Sequence, residues 1–191
     1  RRHINDLDLK KISNNKKIPL NLEMACNIKM LKIALKTKPN FVCIVPEKRK
    51  EITTEGGINL KKNKKNLKKI LKELNKNHIR TSLFINPNIK DVKISKELNS
   101  NCVELHTGRI SNLIKKNLNY KNELNKIKKA TDYAIKLGIE VHAGHGMDYK
   151  TSKVLSKVKG IKEFNIGHFI IGESILYGLK KTILKLKKII N

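Results

Sequence analysis

Six short apolar runs in this chain each end in a burst of polar or glycine residues. The runs with their ends are Leu20-Asn21-Leu22-Glu23, Phe41-Val42-Cys43-Ile44-Val45-Pro46-Glu47, Ser82-Leu83-Phe84-Ile85-Asn86, Val103-Glu104-Leu105-His106-Thr107-Gly108, Val141-His142-Ala143-Gly144-His145-Gly146 and Phe164-Asn165-Ile166-Gly167-His168. Between them apolar residues recur at helical spacing, as in Leu67, Ile70, Leu71 and Leu74, or Ile127, Ala130 and Ala134. Strands alternating with crossover helices build a parallel sheet, and ligands collect where the carboxyl ends of such strands meet. Nearly every residue able to do chemistry sits at those ends, so the pattern points to an enzyme.

The spacing predicts strands over 19–23, 41–45, 80–85, 102–106, 140–143 and 163–169. Helices are predicted over about 28–36, 61–75, 89–98, 121–137, 151–158 and 174–190, with a first helix capped by Asn5 or Asp6 and running to Asn14. No composition break or low-complexity linker divides the chain, which reads as a single domain over residues 1–191. The Arg1-Arg2-His3 start reads as the tail of a loop.

The formal charge is +27, yet only five of the 43 basic residues are arginine and aromatic residues make up 4% of the chain. Few arginines means little bidentate recognition of phosphate or bases, and few aromatics means no stacking platform for single strands. The lysines are spread along every predicted helix, so we read them as a solvated surface and expect no nucleic-acid partner. No apolar stretch approaches the ~20 residues needed to span a bilayer, and a cytoplasmic location without membrane association is expected. Cys26, Cys43 and Cys102 lack paired metal-ligand spacing, so neither a disulfide framework nor a metal is expected.

Two parallel architectures compete. An open doubly wound sheet usually carries a glycine-rich phosphate loop after its first strand, and Asn21-Leu22-Glu23-Met24-Ala25 has no glycine. The closed (β/α)₈ barrel fits better, because Gly167 and Gly172 fall around the final strand-to-helix junction where many barrels hold a phosphate on backbone N–H groups. A barrel needs eight strands, and six are read here, so about the first two βα units are expected to be absent from this chain.

Asn21-Leu22-Glu23-Met24-Ala25, Val45-Pro46-Glu47-Lys48-Arg49, Thr53-Thr54-Glu55-Gly56-Gly57, Glu104-Leu105-His106-Thr107-Gly108, Ala143-Gly144-His145-Gly146 and Asn165-Ile166-Gly167-His168 stand in an order that resembles the pyridoxine 5′-phosphate synthase family of vitamin B6 biosynthesis. The resemblance implies a TIM barrel, a homo-oligomer, and condensation of 3-amino-2-oxopropyl phosphate with 1-deoxy-D-xylulose 5-phosphate, with release of phosphate and water. It implies no cofactor and no metal, and phosphorylated small molecules as the only substrates.

Read from its own surroundings, Glu23 is either a rim carboxylate paired with a lysine or a general base. The resemblance favours the base, as proton acceptor. His145, between two glycines, is by the same resemblance the proton donor, where its alternative is a turn histidine bonded to a carbonyl. Gly146, Gly167 and His168 are expected to bind 3-amino-2-oxopropyl phosphate, and His3 and Thr53 the deoxyxylulose phosphate. Glu104 and His106 share one strand face and are expected inside the barrel, without an assigned role. Three other readings stay open: a different phosphate-binding barrel isomerase or lyase, an inactive fragment of the synthase, or a non-catalytic basic binding protein. An imine-forming aldolase would want a lysine at a strand end, and these ends offer none.

Overall fold

A computed structural model describes residues 4–15, 17–46 and 56–191. Six strands, β1 (Asn21–Ala25), β2 (Phe41–Val45), β3 (Arg80–Ile85), β4 (Cys102–His106), β5 (Glu140–Gly144) and β6 (Ile161–Asn165), pair in parallel and in chain order. The sheet is curled into a half-barrel. Its first and last strands meet through side chains across the concave face, where Asn21 Nδ2 donates to Glu163 Oε1 at 3.4 Å.

The period-two alternation of each strand sorts the side chains by face. Leu22, Met24, Val42, Ile44, Leu83, Ile85, Val103, Leu105 and Val141 face outward and join the buried apolar cluster under the helices. Asn21, Glu23, Cys43, Ser82, Cys102, Glu104, Glu140, His142, Glu163 and Asn165 occupy the alternate, concave face. The apolar core therefore lies between sheet and helices, and the inside of the half-barrel is polar.

Helices α1 (Asp6–Asn14), α2 (Ile28–Thr37), α3 (Leu60–Lys76) and α4 (Ile89–Glu97) cover the first half of the sheet. Each starts at an asparagine, Asn5, Asn27, Asn59 or Asn88, whose side-chain oxygen accepts a backbone N–H of the first turn. Such caps contribute about 1 kcal/mol each. Part of the asparagine content thus has a structural task. In α3, Leu67, Ile70, Leu71 and Leu74 are wholly buried at three- and four-residue spacing, roughly 2 kcal/mol of apolar burial apiece. The helix faces water with lysines.

The second half holds α5 (Gly108–Lys115), α6 (Lys121–Lys136), α7 (Tyr149–Leu155), α8 (His168–Tyr177) and α9 (Leu179–Ile190). Here the sequence reading needs correction. The strand expected over 163–169 ends at Asn165, and His168 opens a helix instead. Phe169, Ile170 and Ile171 form an unbroken apolar run that carries no period to tell helix from strand. The helix expected over 174–190 is two helices, broken at Gly178, whose φ of 80° a helix does not accommodate. Gly172 consequently lies inside α8, away from the strand-to-helix junction where it was expected. Helix α5 was not foreseen, and β1 begins two residues later than expected.

Candidate active site at the open end of the half-barrel

The carboxyl ends of β1, β4, β5 and β6 bring together most of the residues singled out from sequence. Glu23 stands on β1, on the concave face and exposed. Glu104 on β4 is 3% exposed. Its Oε2 accepts from Asn165 Nδ2 at 2.8 Å and from the Cys43 thiol at 3.4 Å. Burial first, and then the charge of Glu23, push the Glu104 carboxyl up to about 8. At neutral pH the site thus holds one carboxyl kept mainly protonated beside another open to solvent. Gly144 makes room for this arrangement, because a Cβ there would collide with the Glu104 carboxylate.

His145 follows β5 with a left-handed backbone, φ 80°, unusual for a residue with a side chain. The loop is clamped from β4's end. Thr107, wholly buried, places Oγ1 2.7 Å from both the Gly144 and His145 carbonyl oxygens, and its N–H donates to Gly144 O at 2.8 Å. Lys115 Nζ donates to Gly146 O at 3.0 Å. The His145 ring stacks on His106 with centroids 4.9 Å apart, and Phe84 meets both rings edge-on. Gly108 permits the stack, since a Cβ there would lie 2.8 Å from His106 Cε1 and 3.0 Å from His145 Cδ2. Partial burial, then the nearby His168 and Lys115, hold the His145 imidazole below 6.5.

Gly146 is exposed and left-handed at φ 73°. Gly167 and His168 are exposed at the start of α8, and Gly167 has φ −104° with no atom within 4 Å of an added Cβ. The fold therefore has room for a side chain at 167, at the start of a helix whose first backbone N–H groups have no partner within the helix. His3 and Thr53, together with Glu47, Lys48 and Arg49, lie outside the described residues. Sequence reasoning passed over Thr107, Gly108 and Asn165, although each stands within a strand-end motif. Among the described residues, the cluster with metal-ligating geometry is Cys102, Glu140 and His142, towards the opposite end of the strands. No described helix is long and apolar enough to cross a membrane.

The family model described as "Pyridoxal phosphate biosynthesis protein PdxJ" matches residues 1–191. The chain is 65% identical over 191 residues to pyridoxine 5′-phosphate synthase of Pelagibacter ubique, covering all of this chain and 80% of that one. It is 43% identical to the synthase of Ehrlichia canis, covering all of this chain and 78% of that one. Among solved structures it is similar to the tryptophan synthase A-subunit of Pyrococcus furiosus, with a TM-score of 0.59, 15% identity and coverage of 96% of this chain and 70% of that one. Citrate synthase SbnG gives a TM-score of 0.54 at 14% identity, over 96% of this chain and 77% of that one. These two likenesses concern the fold alone.

Proposed function

This chain belongs to the family of the pyridoxal phosphate biosynthesis protein PdxJ, and from that premise we propose that it acts as a pyridoxine 5′-phosphate synthase. It condenses 3-amino-2-oxopropyl phosphate with 1-deoxy-D-xylulose 5-phosphate, closes the pyridine ring, and releases phosphate and water. The observation that carries the reading at the site is the pair of carboxyls, Glu23 open and Glu104 buried, at the same strand ends as the clamped His145. Ring closure demands several proton transfers, and an exposed carboxyl, a buried carboxyl with a raised pKa and an imidazole with a lowered one are groups suited to them.

In this reading Glu23 accepts a proton and His145 donates one. With its pKa lowered, the His145 imidazolium is a stronger acid but less populated as pH rises. Gly146, and the N–H groups that Gly167 and His168 present at the start of α8, receive the aminooxopropyl phosphate. His3 and Thr53 are assigned the deoxyxylulose phosphate. The same reading includes the (β/α)₈ barrel with two βα units beyond the six strands, in a single domain, a cytoplasmic location and a homo-oligomer.

The test is turnover with both substrates, followed by the appearance of pyridoxine 5′-phosphate and of inorganic phosphate. Glu23→Gln and His145→Asn should each lower kcat by about 10²-fold with an unchanged circular dichroism spectrum. Unaltered turnover in either variant refutes that assignment, and absence of product from the unmodified protein refutes the activity.

A further inference from the structure

Towards the amino-terminal end of the strands, the concave face carries a second cluster for which the proposed reaction has no use. Cys102 and Glu140 are register partners at the starts of β4 and β5, and His142 follows on the same face of β5. Cys102 is 1% and His142 2% exposed. The thiol sulfur, an imidazole nitrogen and a carboxylate oxygen of the three all lie within 4.8 Å of one another. We infer that Cys102, Glu140 and His142 form a site for a divalent transition-metal ion of the zinc type.

The donor set selects the ion. Sulfur with imidazole and one carboxylate suits zinc or cobalt, whereas magnesium and calcium prefer oxygen alone. The surroundings match those that orient metal ligands. Arg80 Nη2 holds Glu140 Oε2 at 2.7 Å, which leaves Oε1 directed at His142 Nε2, 2.8 Å away. An ion between these two atoms replaces that hydrogen bond and needs them roughly 3.3 Å apart, from metal–ligand distances of about 2.0–2.1 Å. The other ring nitrogen, His142 Nδ1, is buried without a hydrogen-bond partner among the described residues and lies 3.8 Å from Glu163 Oε1. Binding through Nε2 gives that carboxylate its role, as the group orienting the imidazole. Charge also closes: a thiolate, Glu140 and Glu163 balance the ion and Arg80. A cavity of about 490 Å³, lined by Arg80, Asn99, Asn101 and Glu140, reaches the site at its Glu140 ligand.

The chain, stripped with a chelator, should be titrated with cobalt(II). One equivalent should bind with a sulfur-to-cobalt charge-transfer band, and zinc should displace it. Cys102→Ser should abolish the band, and His142→Gln should weaken binding by about 10-fold or more. Cys43→Ser should leave both unchanged. Failure of the unmodified protein to bind cobalt with a thiolate band overturns the site whether or not the variants fold, as does a band that survives Cys102→Ser or disappears in Cys43→Ser.

Discussion

Thr107→Val separates the support of the His145 loop from its chemistry. The substitution keeps the branched shape and removes a hydroxyl 2.7 Å from the carbonyl oxygens of Gly144 and His145. Gly144 O retains the backbone N–H of Thr107 at 2.8 Å, whereas no other donor to His145 O is seen among the described residues. Leaving this part-buried acceptor unsatisfied costs about 1–3 kcal/mol at most. For a chain of this size that predicts a fall in Tm of roughly 2–12 °C, at 2–4 °C per kcal/mol. The hydroxyl also helps hold His145 at φ 80°, a conformation that costs a non-glycine residue about 1–3 kcal/mol. Once released, the residue relaxes toward negative φ and its imidazole leaves the His106 stack. We expect kcat to fall about 10-fold or more, with a smaller rise in KM confined to the aminooxopropyl phosphate, since the proposed contacts of the other substrate lie outside this loop. Thr107→Ser, which keeps the donor, should recover most of the loss. Steady-state kinetics and thermal melts on the three proteins decide it. A Val variant that loses stability yet turns over normally would show that the clamp serves the fold alone.

Glu104→Gln should flatten part of the pH dependence of stability. The Glu104 carboxyl sits higher in the folded chain, at about 8, than its ordinary 4.5, so its contribution is fully present below pH 4.5 and is lost as pH rises through 8. Urea denaturation should show the unmodified protein losing about 3–4 kcal/mol relative to the variant between pH 5 and pH 8, at about 1.4 kcal/mol per unit of separation between the two pKa values. Parallel pH profiles would refute it. Gly167→Val, at ordinary φ and in open space, should leave the melt unchanged while raising KM for the aminooxopropyl phosphate far more than for the deoxyxylulose phosphate. Equal weakening of both would mean that the two phosphates are not divided between these loops.

Sequence alone was enough to locate the strands to within a few residues, because each apolar run stops at a polar or glycine burst and period two then sorts its faces. The same rule foresaw Glu104 and His106 on the concave side. It could not reveal that Glu104 is held protonated, which depends on its burial and on the charge of Glu23 from another strand, and which prevails over the opposing hydrogen bonds from Cys43 and from Asn165, sixty-one positions away. Nor could it reach Thr107, whose importance lies in two carbonyls of the next strand's loop. The largest error, at α8, has a plain cause: no residue of this helix is fully buried, so the helix has no buried stripe for periodicity to report. The expectation of no metal came from spacing along the chain and from the family resemblance, and neither registers that β4 and β5, as neighbours, bring Cys102, Glu140 and His142 together.

The division of labour between the two faces of the sheet has a consequence for how such a protein tolerates change. Residues that hold the chain folded point outward beneath the helices, residues that carry charge and chemistry point inward, and lysines and asparagines occupy the outer helical faces beyond both. Drift in base composition that rewrites codons toward lysine and asparagine can run far on that third layer without reaching either of the others. An engineer could exploit the same insulation, recolouring the exterior for a new solvent or surface while the reactive lining is left as it stands.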